Sequence, residues 1–180
     1  MARLTIDGYG QVELNNVAFR RDGRIEAQCA LSTVDFADVP AENGMILRVK
    51  KPSREICFAD SSAENQLYAL NYTSEHMYDE RKPGLKNFKL EATNDFYPRV
   101  GYLAAGDLWT TNCVDLGTYA SYEAVKTALG SGTEVYAAVG TQGAVVFGTA
   151  APSVGPVISV VKATTMPDGQ DAFQLQVLSV

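Results

Sequence analysis

Chemistry-bearing side chains are scarce in this sequence. It holds one histidine, His76, one tryptophan, Trp109, and three cysteines in 180 residues. A metal centre of imidazoles and thiolates needs several such residues at short fixed spacings, and the chain has no such cluster. Cys29, Cys57 and Cys113 are odd in number, far apart and never arranged as C-x-x-C, which argues against a disulfide framework and a zinc knuckle. Cys29 and Cys57 lie in apolar, strand-like runs where a free thiol behaves as a small hydrophobe, the pattern of a protein folding in a reducing compartment. No run approaches the roughly 20 apolar residues of a membrane-spanning helix. Met1-Ala2-Arg3-Leu4-Thr5-Ile6-Asp7-Gly8 lacks the apolar segment of a secretory signal. Synthesis in the cytoplasm is the expectation.

Positive charge is also in short supply. Fifteen basic residues against 21 acidic ones leave a net charge of −6. Phosphate backbones and anionic bilayers repel such a chain, so neither nucleic acid nor membrane is an expected partner. The nearest basic patch is Arg48, Lys50, Lys51 and Arg54, which reads as a solvated strand face. Charge is unevenly spread. Residues 1–100 carry 13 basic and 15 acidic side chains, whereas residues 101–180 carry 2 and 6. A second half this poor in charge, and rich in Ala, Gly, Thr and Val, reads as an interface or as a sheet packed on both faces.

What is present is apolar alternation. With 46% apolar and 20% charged residues, the chain can bury roughly 70% of its unfolded surface. Ile25, Ala27, Cys29 and Leu31 alternate with polar or small neighbours, and Asp22-Gly23 ahead of them predicts a hairpin turn. Further strands are expected over 45–49, 55–59 and 66–72, the last buried on one side. That makes about five strands in the first 100 residues, spaced as in a sandwich or barrel. Later strands are expected near 100–103, 106–112, 134–139 and 143–147. Two more, over 156–165 and 172–180, are joined by a turn at Pro167-Asp168-Gly169. Residues 150–155 read as a loop. One helix is predicted over about 119–130: Tyr122, Val125 and Leu129 fall on one face, Ser121 caps the start and Gly130-Ser131-Gly132 ends it. The fold class is therefore mainly β, an antiparallel sandwich or barrel with one short helix. Residues 1–74 and 75–180 form two regions or one continuous domain.

Candidate chemistry is thin. His76 stands among Ser74, Glu75, Met77 and Tyr78 and reads as a surface or loop histidine. Asp35 and Asp38 read as turn-capping carboxylates, and the Asp79/Glu80 pair as exposed loop acids. Gly140-Thr141-Gln142-Gly143 lacks the Lys-Ser/Thr of a phosphate loop. Asp79, Glu80, Arg81 and Lys82 form a dense charge cluster closed by Pro83-Gly84, a loop signal. Trp109 falls on one strand face with Asp107 and Thr111, a mixed surface that suits a core, an interface or a stacking platform. No catalytic set, metal site or cofactor is expected.

Three stretches carry a resemblance: Tyr78-Asp79-Glu80-Arg81-Lys82-Pro83-Gly84-Leu85-Lys86 with Pro98-Arg99-Val100-Gly101; Gly106-Asp107-Leu108-Trp109-Thr110-Thr111-Asn112; and Pro167-Asp168-Gly169-Gln170 with the strand Phe173–Leu178. Over roughly residues 75–180 the chain resembles head-decoration and head-fibre structural proteins of tailed bacteriophages. The resemblance implies a non-enzymatic virion component that decorates or stabilises the outside of a capsid. Its partners would be the major capsid protein and copies of itself in a homo-oligomer, with residues 1–74 as a capsid-anchoring region. Asp79, Glu80, Arg81, Lys82 and Trp109 are the candidate partner contacts. A carbohydrate- or receptor-binding β module is the alternative.

Overall fold

A computed structural model describes residues 8–59, 66–73, 92 and 97–180. The first elements are β1 (Val12–Asn16), the short helix α1 (Ala18–Asp22), β2 (Ile25–Glu26) and β3 (Ala30–Leu31). They are followed by β4 (Ile46–Lys50), β5 (Glu55–Phe58), β6 (Tyr68–Asn71), β7 (Val100–Tyr102), β8 (Leu108–Thr111) and β9 (Val114–Asp115). The chain ends with α2 (Tyr122–Gly130), β10 (Tyr136–Val139), β11 (Val145–Gly148), β12 (Val157–Thr165) and β13 (Asp171–Ser179).

These strands make two open sheets, not a barrel. The first runs β2-β7-β6-β4-β5-β3 and the second β1-β8-β13-β12-β10-β11-β9. Period-two burial explains why they stack. Phe173, Leu175 and Val177 alternate with Gln174 and Gln176 and point inward. They join Trp109, Ile158 and Val160 in one cluster with Ile46, Tyr68 and Leu70 of the first sheet, so the main core lies between the sheets. A second cluster covers the other face of the first sheet. There Leu47, Ile56, Ala69 and Val100 pack under Phe36, Ala41 and Met45 of the 32–45 connection. Each sheet draws strands from both sides of 74/75, since β1 joins the second and β7 the first.

The two sheets share one plan. Written from the other end, β3-β5-β4-β6-β7-β2 and β9-β11-β10-β12-β13-β8 are the same strand order, shifted by six elements. In each, the first pair is parallel and every other pair is antiparallel. Registers agree as well. Arg48 lies opposite Tyr68 as Ala137 lies opposite Ile158, Leu70 opposite Gly101 as Val160 opposite Leu175, and Ile25 opposite Gly101 as Trp109 opposite Leu175. Matched residues Tyr68 and Ile158, like Leu70 and Val160, sit in the shared core, so the sheets pack through equivalent faces. Four features fall outside the plan: β1, α1, the helix α2 between β9 and β10, where the first sheet has only the 32–45 connection, and the connection between β6 and β7, 28 residues where its counterpart between β12 and β13 has five.

Two expectations need correction. Asp22-Gly23 does not turn a hairpin: Gly23, with φ +69°, ends α1, and only Ile25–Glu26 of the expected strand is extended before Ala30. The helix has no side-chain cap of its own, and the Ala18 N–H instead donates to Asp107 Oδ1 at 2.5 Å. It exists because of tertiary contact, since the Phe19 ring fills the space above Gly101, where an added Cβ would come within 2.2 Å of it. Strand β6 is buried on both faces, not one, because it lies between the two core clusters. The helix predicted over about 119–130 is α2, with Ser121 Oγ accepting from the Ala124 N–H at 3.2 Å.

Candidate functional site

Of the five expected contact residues, Asp79, Glu80, Arg81 and Lys82 lie outside the described residues, as does His76. The connection that contains them leaves β6 at Tyr72-Thr73 and rejoins β7 through Tyr97-Pro98-Arg99. Its two ends are tied together: the Tyr72 N–H donates to the Arg99 carbonyl at 3.0 Å, and the Arg99 N–H to Thr73 Oγ1 at 2.8 Å.

Trp109 is in the core with no exposed surface. Its neighbours explain how a strand that reads as mixed can be buried. The Asp107 carboxylate accepts from the Ala18 and Ala104 N–H groups, and Thr111 Oγ1 donates to the Gln11 carbonyl at 2.6 Å. The polar groups of Asp107 and Thr111 are paired with backbone, so burial costs them little. Trp109 Nε1 is buried without a partner. The ring offers no platform to a ligand in this arrangement.

The remaining candidates do structural work. Asp35 Oδ2 accepts from the Phe58 N–H at 2.9 Å and fastens the 32–45 connection to β5. In the basic patch, Arg48 is half-buried and its Nε donates to the Phe58 carbonyl at 3.0 Å, so only Lys50, Lys51 and Arg54 are solvated. Arg54 also pairs with Glu26 at 3.3 Å. Burial raises the pKa of all three thiols, with Glu26 adding at Cys29 and Asp35 at Cys57. Cys113 is pushed up to about 12 by burial, with Glu42 adding to it. All three therefore stay protonated at neutral pH and are weak nucleophiles. Among the described residues no three His, Cys, Asp or Glu side chains converge as metal ligands. No described helix is long and apolar enough to cross a membrane.

The feature that the charge asymmetry only hinted at is a face. The outer face of the second sheet carries Thr110, Gln174 and Gln176, with Ser159 and Tyr136 in the adjoining strands. Leu178, 49% exposed, continues it. Asn15 Oδ1 accepts from Thr110 Oγ1 at 2.8 Å and from Gln174 Nε2 at 3.2 Å, which orders the polar side chains across three strands. Two charges of opposite sign stand on this face, Glu13 opposite Thr110 and Lys162 opposite Gln174. The Gln174/Gln176 alternation within Phe173–Leu178 was the sequence signal for it. The chain matches no known family model, curated protein or solved structure.

Proposed function

We propose that this chain is a non-enzymatic virion structural protein that decorates the outer surface of a phage capsid, contacting the major capsid protein and copies of itself. The observation that carries this reading is the nearly uncharged outer face of the second sheet, in a chain whose net charge is −6. Interface cores are depleted in charge, and a rigid sheet presents its contacts with little ordering cost. An acidic body elsewhere keeps such a protein off DNA. The carbohydrate-binding alternative loses its platform with Trp109 in the core.

The test is co-sedimentation of the pure chain with empty heads of the phage that encodes it. The wild-type chain is expected to pellet with heads in a saturable ratio. Gln174→Glu with Gln176→Glu should reduce that binding at least tenfold while leaving the unfolding midpoint in place, because both side chains project from the outer face. A wild-type chain that stays in the supernatant rejects the reading.

A further inference from the structure

Three of the features outside the shared plan, β1, α1 and the β6–β7 connection, meet at one place. Leu14 of β1, Arg20 of α1, and Tyr72, Thr73, Tyr97 and Arg99 from the ends of the β6–β7 connection line an open pocket of about 490 Å³. Its polar inventory is one-sided. Arg20 and Arg99 are exposed, and neither pairs with a carboxylate among the described residues. The Tyr72 hydroxyl is buried beside Arg99. Thr73 Oγ1 is already used, donating to Asn71 Oδ1 at 2.7 Å and accepting from the Arg99 N–H. What is left over is two exposed guanidinium forks, both able to donate.

The positions are held by packing. The Tyr72 ring lies against Phe19, centroids 5.0 Å apart, which ties the pocket floor to α1 and so to Arg20. Burial raises the Tyr72 pKa, and the nearby Arg99 and Arg20 charges oppose that rise, so both cations act on the phenol. Tyr97, 58% exposed, and Leu14 add apolar surface beside the donors.

We propose that this pocket binds a carboxylate of a partner protein, an Asp or Glu side chain or a C-terminus. Two exposed guanidiniums on one pocket supply the positive charge and the donors that a carboxylate takes, and the apolar wall suits the methylenes that carry it. A single anionic group is favoured over a polyanion, which the net charge of −6 repels. The proposal deepens the docking reading above and rests on it for the identity of the partner.

The experiment has two arms on the full-length chain. In the first, the arginine side-chain NMR signals are followed during titration with an acetylated, amidated tetrapeptide containing Glu, with its Gln counterpart, and with inorganic phosphate. The Glu peptide should shift the Arg20 and Arg99 signals and the Gln peptide should not. In the second, Arg20→Gln with Arg99→Gln is compared with Lys50→Gln plus Lys51→Gln, which removes the same charge elsewhere. The arginine pair should weaken head binding by about tenfold or more, and the lysine pair should leave it unchanged. If heads bind the arginine variant as well as wild type, the pocket assignment is overturned and the docking reading stands. If the wild-type chain binds no heads, the docking reading fails, and the peptide arm alone decides whether the pocket takes a carboxylate. Shifts caused by phosphate but not by the Glu peptide overturn the carboxylate assignment.

Discussion

The first and second sheets share strand order, strand direction and register, yet they treat their outer faces in opposite ways. In the first, Leu47, Ala69 and Val100 point away from the sandwich and are covered by the 32–45 connection. At the matched positions of the second stand Tyr136, Ser159 and Gln174, none of them fully buried. A charge-poor sequence was expected to mark either an interface or a sheet packed on both faces. The doubly packed sheet turned out to belong to the charge-rich half. Among its described charges Glu26, Lys50 and Glu55 lie at strand ends, while the charge-poor half leaves a polar face open. One sheet is built to hold the fold, and the other has a face to spare.

The comparison can be tested first at the inner edge, where Trp109 and Ile25 are matched. Trp109→Ala should cost about 3–5 kcal/mol by urea unfolding, because it empties a fully buried indole site. Ile25→Ala, at a partly buried position, should cost about 1–2 kcal/mol. Equal losses would mean the two edges bear the same load. A smaller effect is expected from transplanting the Leu175 side chain onto its counterpart. Gly101→Leu should destabilise by about 1–3 kcal/mol through collision with the Phe19 ring. Adding Phe19→Ala to that variant should cost less than the sum of the two single changes, by about 0.5–3 kcal/mol. Strict additivity would show that Phe19 does not stand in for the missing side chain.

The smallest effect appears only in alkali. The Cys113 thiol, ordinarily near 9.0, is pushed up to about 12 in the fold. Below 9 the thiol is protonated whether the chain is folded or not, and its contribution to stability is complete. As pH rises from 9 towards about 12 the unfolded thiol ionises first, so stability falls. Cys113→Ala should flatten that decline in urea midpoints taken at about pH 8 and 10. Its matched residue in the first sheet, Cys29, also has a raised pKa, and Cys29→Ala tests whether the decline is shared.

Local pattern made some of this readable and tertiary contact hid the rest. Strands β4 and β5 follow from short β-branched or aromatic runs, β13 from visible alternation, and α2 from Ser121 and the spacing of Tyr122, Val125 and Leu129. Helix α1 was not readable, because its cap, Asp107, is 89 residues away and a left-handed glycine serves a hairpin turn as well as a helix end. The shared plan was equally hidden, since it survives in register while Gly101 faces Leu175 and Arg48 faces Ala137 as counterparts. Of the expected contact residues, Trp109 was legible as core or surface only through its neighbours. Asp107 and Thr111 look solvent-facing until Ala18, Ala104 and Gln11 supply their partners. The arginine pocket had no linear signal at all, for its parts come from three separated segments.

Three of the four sheet edges, β2, β3 and β9, are only two residues long, and the fourth, β1, carries an irregularity between Leu14 and Asn16. Short or interrupted edges offer too few aligned amides to recruit a foreign strand. A protein crowded at high local concentration would otherwise risk growing into ribbons through its own backbone. The proposed docking would therefore fall to side chains on a face, which can be saturated, and not to edges, which propagate.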